Sequence, residues 1–239
     1  MGIIFPSVNQ TYAAIDTSAD HIISTVDWYL NTIQTDYLDV ILLHYPNSFM
    51  NTEEVAQTFA SLKAAGKVRF FGVSNHYPSH FQALQAACDK VGIKLVTNEV
   101  EISVWNPRYL NYNMGTVDHA YTNGYHNLAW GALAGDSTGG FNRLFTKKGI
   151  RQAKILSALE EVGAELGVSD ASVMALAWTL SHPSGIIPLI GTTKTDRVNK
   201  LVAAIDVAPK INTLQWWKIA GKGGLCALAD DQCDYDEYK

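Results

Sequence analysis

Long apolar runs are missing from this chain of 239 residues: no stretch reaches the roughly 18 to 20 apolar residues needed to cross a bilayer. Cysteine is scarce. The three present, Cys88, Cys226 and Cys233, show neither metal-ligand spacing nor the even count of a disulfide framework. They point to a reducing compartment and give no reason to expect a metal. Basic charge is short as well. With 18 Lys and Arg against 23 Asp and Glu, the net charge is -5, and no basic stripe is available to neutralise a nucleic-acid backbone. The first residues lack the charged and apolar blocks of a signal peptide, and Pro6 stands where a myristoylation start needs Ser or Thr. The expectation is a soluble, cytoplasmic protein with no nucleic-acid partner and no membrane span.

What the chain has is regular alternation. A helical pattern with Ile22, Val26, Tyr29, Leu30 and Ile33 follows Thr17-Ser18-Ala19-Asp20, which reads as a capping box. A buried strand over 37–43 ends at His44, with Pro46 behind it. Asn51 caps the next helix, Gly66 closes it, and a strand over 68–73 ends at Ser74-Asn75. Then come a helix over 79–91, a strand within 95–102 that interleaves Asn98, Glu99 and Glu101, and a short helix over 116–123. A strand over 127–130, a glycine-rich excursion over 131–146, and helices over 151–166 and 170–181 follow. The apolar run 186–190 reads as a further strand, and helices over 195–204 and 213–220 complete the pattern. A short strand is expected at residues 2–5.

Continuous apolar strands alternating with helices imply a parallel sheet with covered faces, an α/β protein. No shift in composition marks a second domain. One domain over 1–229 and an acidic, mobile tail over 230–239 are expected. In a βα barrel, chemistry sits at the C-terminal ends of the strands. Those ends here carry His44, Ser74-Asn75, Glu99, Trp130-Gly131 and Gly191-Thr192-Thr193-Lys194. The stretch IIPLIGTTKTDRVNK is the most suggestive, because two hydroxyls, Lys194 and Arg197 gather where a strand feeds a helix, a setting suited to phosphate.

The segments TDYLDVILLHYP, LKAAGKVRFFGVSN, LVTNEVEIS, LAWGAL, ELGVSDASVMALAWTLSHPSGIIPLIGTTKTDRV and LQWWKI together resemble the aldo-keto reductase family, in its bacterial and fungal oxidoreductase-like branch. They follow the family's order and spacing over nearly the whole chain. The resemblance implies a (β/α)8 TIM-barrel type fold and hydride transfer between NADP(H) and a carbonyl or alcohol. By position, His44 matches the histidine that hydrogen-bonds the substrate carbonyl. Ser74 and Asn75 match the pair that holds the nicotinamide carboxamide. Glu99 stands where the family has Gln for the same amide, and a carboxylate only accepts unless it is protonated. Trp130 matches the aromatic that stacks on the nicotinamide ring. Gly131 replaces a Ser, and Leu133 and Gly135 fall in the loop that covers the pyrophosphate. Gly191, Thr192, Thr193, Lys194 and Arg197 match the stretch that grips the 2′-phosphate, which favours NADP over NAD.

One departure stands out. Gly2-Ile3-Ile4 resembles the residues directly after the family's strand-end Lys, so the family's Asp, Tyr and Lys have no counterpart, and the barrel is expected to be incomplete by its first two βα units. Only His44 remains of the catalytic four. Two readings follow: an aldo-keto reductase by descent, with activity impaired or lost, or a non-catalytic NADP(H)-binding or assembly subunit that docks a partner, or a second copy, through the open barrel edge. Tyr45, next to His44, is expected on the opposite face by strand alternation. His76 and His80 are expected at the surface.

Overall fold

The first two helices start where a short polar side chain replaces a missing backbone partner. Ser18 accepts from the His21 amide ahead of α1 (Ala19–Ile33), and Asn51 accepts from the Glu54 amide ahead of α2 (Thr52–Ala64). Gly66 and Gly92, both at φ +71°, turn the chain out of α2 and α3 (Pro78–Asp89) toward the strands that follow. The computed structural model describes residues 15–111, 113–135, 143–146 and 149–225; the strand expected at residues 2–5, the tail over 230–239, Cys226 and Cys233 lie outside them.

Two compact units divide the chain, residues 1–99 with 123–125, and residues 100–122 with 126–239. In the first, β1 (Leu38–Leu43), β2 (Val68–Ser74) and the start of β3 (Leu95–Glu101) pair in parallel, with Ile41 opposite Phe71 and Ser74 opposite Glu99. One face of β1 and β2 is covered. Ile41, Leu43, Phe71 and Val73 are buried there, as are Ile22 and Val26 of α1 and Val55, Phe59 and Leu62 of α2. Phe59 stacks on Phe71 at 4.2 Å, and truncating such a ring to Ala costs about 3–5 kcal/mol. Gly72 has no room for a side chain, since a Cβ would sit 2.7 Å from Leu42 Cδ2 and 2.8 Å from Thr97 Cγ2. Toward the start of the same strands burial fails: Val40 and Phe70, partners in register, are 40 and 50% exposed. Strand β1 ends the sheet and has no second strand neighbour among the described residues.

The second unit holds a 3-10 turn (Arg108–Leu110), α4 (Thr116–Asn123), β4 (His126–Trp130), α5 (Arg143–Thr146), α6 (Ile150–Leu166) and α7 (Ala171–Leu180). After them come β5 (Ile187–Pro188), α8 (Thr195–Leu201), α9 (Ala204–Val207) and α10 (Thr213–Lys222). Its core joins Ile155, Leu159 and Val162 of α6 to Met174, Leu176 and Trp178 of α7 and Ile219 of α10. Trp178 and Trp216 stack at 5.0 Å, and each indole N–H donates to the other residue's carbonyl, at 3.1 and 3.2 Å. Asp170 caps α7 and pairs with Lys200 at 2.8 Å. Burial raises its carboxyl, but Lys200 and the bonds from Ser172 and Val173 outweigh that and hold it at about 2.

Two expectations about this unit are corrected. The strand expected over 186–190 is only Ile187–Pro188, and Ile187 is 47% exposed although Ile186 is buried. Pro188 has no N–H, so the ladder with β4 stays short. The single helix expected over 195–204 is two pieces, α8 and α9.

Candidate functional site

In the first unit, β1 and β2 deliver their strand-end residues together. His44 follows β1 directly, and Ser74 is the last residue of β2. Asn75 turns sharply, at φ +59°, a conformation Asn tolerates better than other side-chain-bearing residues. Its Nδ2 donates to the His44 carbonyl at 3.1 Å and to Ser74 Oγ at 3.0 Å. The Ser74 hydroxyl donates to the Glu99 carbonyl at 2.9 Å, and the Asn75 amide reaches the same oxygen at 2.8 Å. His44, Ser74, Asn75 and Glu99, read separately in the sequence, thus form one hydrogen-bonded group, which His44 and Glu99 join through their backbone carbonyls, with His44 and Ser74 at strand ends and Glu99 within β3. Ser74 and Asn75 are buried, while His44 and Glu99 are half-buried.

Burial sets the protonation of this group. It lowers the His44 imidazole below its ordinary 6.5, so the ring is neutral at pH 7. It raises the Glu99 carboxyl above 4.5, by the same disfavour toward charge. The expectation for Tyr45 is overturned: its ring stacks on His44, centroids 4.7 Å apart and planes 30° from parallel. Alternation holds within a strand, and β1 ends at Leu43. The surface expectation for His76 is overturned too. His76 is 0% exposed, whereas His80 is exposed as expected. His76 donates from Nδ1 to the Ser74 carbonyl at 2.8 Å, and Asn98 bonds both its amide and its carbonyl. Sequence reasoning missed the part played by His76 and Asn98. The available signal was a short amide side chain set one residue out of phase with Glu99 and Glu101.

In the second unit, Trp130 ends β4 half-buried, and Gly131 opens a tight turn at φ +63°. The Ala134 amide donates to the Gly131 carbonyl at 2.7 Å, and Ala134 is itself at φ +63°. A Cβ at position 131 would lie 3.0 Å from the Gly135 carbonyl oxygen, so this turn is built for glycine. Leu133 and Gly135 are half-buried in it. Gly191, Thr193, Lys194 and Arg197 are exposed, and Thr192 is half-buried with its Oγ1 accepting from the Lys194 amide at 3.3 Å. Lys194 and Arg197 form no ion pair among the described residues, unlike Lys200. Helix α8 is seven residues long, so these side chains, more than a helix dipole, would carry any affinity for an anion here. No cluster of metal-ligating residues occurs among the described residues, and no helix of theirs is long and apolar enough to cross a membrane.

Comparison with known proteins gives the family and the fold. Residues 10–221 match the model of the Aldo/keto reductase family. The Escherichia coli oxidoreductase YdhF is 36% identical, over 85% of this chain and 63% of its own length. The uncharacterized oxidoreductase YcsN of Bacillus subtilis is 33% identical, over 85% of this chain and 64% of its own. A 6-dehydroglucose reductase of Agrobacterium fabrum is 32% identical, over 91% of this chain and 69% of its own. The chain therefore spans about two thirds of the length of these relatives. Among solved structures, the thermostable aldo-keto reductase Tm1743, crystallised with the inhibitor epalrestat, superimposes with a TM-score of 0.72 at 19% identity, over 86% of this chain and 67% of its own. That likeness gives an α/β fold of the TIM-barrel type.

Proposed function

The chain belongs to the aldo/keto reductase family, and from that premise we propose that it binds NADP(H) and acts on small carbonyl compounds in the cytoplasm. The observation that carries this reading is the single hydrogen-bonded group formed by His44, Ser74, Asn75 and Glu99. These bonds hold in place the Ser74, Asn75 and Glu99 side chains, whose hydroxyl, amide and carboxyl are the types that suit a planar carboxamide, which asks for one donor and one acceptor. When bound, NADPH supplies the hydride.

The protein's own residues would then divide the work. Ser74, Asn75 and Glu99 would orient the nicotinamide amide, and Trp130 would offer its ring as a stacking surface. The turn from Gly131 through Leu133 to Gly135 would cover the pyrophosphate with backbone. Gly191, Thr192 and Thr193 would lead the chain past the 2′-phosphate, with Lys194 as a point charge and Arg197 as a fork for two oxygens. His44, neutral at pH 7, would donate an N–H to the substrate carbonyl oxygen. A neutral imidazole brings no net positive charge to the alkoxide that develops there.

The test is a titration with NADPH followed by quenching of tryptophan fluorescence, on the wild type and on Arg197→Ala. Saturable quenching, about tenfold weaker in the variant, is the expected result. Absence of quenching in the wild type overturns the reading.

A second reading is favoured by the exposed pair Val40 and Phe70 beside the unpaired edge of β1. Such an edge invites strand addition, and the chain would serve as a subunit that docks a partner there. A monomer by light scattering that stays soluble at high concentration counts against it.

A further inference from the structure

The group that holds Asn75 in place lies behind it, on residues with no assigned role. Asn98 is 1% exposed and bridges the backbone of His76: its Nδ2 donates to the His76 carbonyl at 2.7 Å, and its Oδ1 accepts from the His76 amide at 3.3 Å. A primary amide presents a donor and an acceptor side by side in this way, which an ionised carboxylate cannot do. The ring of His76 reaches back over Asn75 to the Ser74 carbonyl. Asn75 is therefore fixed on both sides, by its own amide on the Glu99 carbonyl and by the clamped His76 that follows it. Left-handed backbone is disfavoured for side-chain-bearing residues, Asn least among them, so bonds on both sides decide that Asn75 stays there. Away from water, these bonds meet no competing partner and hold their geometry tightly.

The imidazole of His76 carries a cost that packing alone does not explain. Its Nε2 is buried with no hydrogen-bond partner. A phenylalanine of similar size would leave no such orphan. What the imidazole adds is the bond from Nδ1 to Ser74, one residue before the turn.

We propose that Asn98 and His76 are positioning residues for the cofactor amide: they lock Asn75 into its left-handed turn and so aim the Ser74–Asn75 pair. This inference rests on the NADP(H) reading given above. Neither residue need touch the cofactor.

The experiment compares cofactor affinity with thermal stability in four proteins: the wild type, Asn98→Asp, His76→Phe and Leu84→Ala. Asn98→Asp keeps the shape but sets a carboxylate oxygen against the His76 carbonyl. His76→Phe removes the bond to Ser74 and keeps the volume. Leu84, buried in α3, lies outside this network, and its truncation lowers stability for reasons of packing alone. The expected result is a loss of NADPH affinity of about tenfold in Asn98→Asp and a smaller loss in His76→Phe, each measured on folded protein. Leu84→Ala should lower the melting temperature and leave affinity within about twofold of the wild type. The proposal is overturned if both site variants bind NADPH as the wild type does, or if Leu84→Ala weakens binding as much as they do. Should Asn98→Asp fail to fold, His76→Phe decides alone. A wild type that shows no binding overturns the cofactor reading and the positioning role with it, an outcome distinct from wild-type binding that the variants leave unchanged.

Discussion

The ring of Tyr45 lies against the ring of His44, centroids 4.7 Å apart, although the two residues are adjacent in sequence. This contact shields one face of the imidazole, and burial is what lowers its pKa. Tyr45→Ala should therefore raise the His44 pKa back toward 6.5 and remove the ring-current shift of its protons. A proton NMR titration reads both. Unchanged shifts in the variant would mean the rings do not stack in solution.

Glu99 supplies a second test. Its raised carboxyl keeps a proton to higher pH than an ordinary glutamate, and in that form it offers donor and acceptor as a glutamine does. As pH rises through the shifted value, the group becomes an acceptor only, and a charge that the cofactor must cover. Affinity for NADPH should fall in the wild type as pH rises through that value, and Glu99→Gln should be flatter and tighter at the upper end. Calorimetric titration across that range decides it. Parallel curves for the two proteins would remove Glu99 from the site.

Much of this was legible in the sequence. The cap at Asn51, the helix α4, and the placement of His44 and Ser74 at strand ends follow from local chemistry, because capping and strand termination depend on near neighbours. What stayed hidden depends on where regular structure stops. Alternation separates Tyr45 from His44 only if β1 continues, and it ends at Leu43. Pro188 shortens β5 within a run whose apolar residues promise a longer strand. Asn98 read as one of several interleaved polar residues, since nothing local tells which strand neighbour will need two hydrogen bonds at once. The clamp on His76 joins residues 22 positions apart, and only the fold brings them together.

Gly131 gives a prediction that runs against simple restoration. Serine is the family's residue at this position, so Gly131→Ser looks like a repair. The turn stands at φ +63°, and a Cβ would press on the Gly135 carbonyl oxygen at 3.0 Å. The substitution should cost about 1–2 kcal/mol of stability and bring no gain in cofactor affinity. Urea denaturation together with the NADPH titration measures both, and a stabilised, tighter-binding variant would contradict the turn as described.

Acid should weaken the fold through His76. Burial pushes its imidazole down to about 4, from an ordinary 6.5, against the partly opposing bond to Ser74. Between those values the unfolded chain takes up a proton and the folded chain does not. Stability is complete above about 6.5 and declines as pH falls toward 4, by up to about 3 kcal/mol from this residue. His44, His119 and His182, also lowered by burial, add to the slope in the same direction. Urea midpoints at about pH 7 and about pH 5 should differ less in His76→Phe than in the wild type. Equal differences would place the acid sensitivity elsewhere.

The mutual bonds between Trp178 and Trp216 have an optical consequence. Two indoles stacked at 5.0 Å lie close enough to exchange excitation, so two of the protein's six tryptophans report together on the packing of α7 against α10. Trp130 stands at the end of β4. A cofactor stacked on it would remove its share of the light, and the paired emission would remain as an internal standard within the same spectrum.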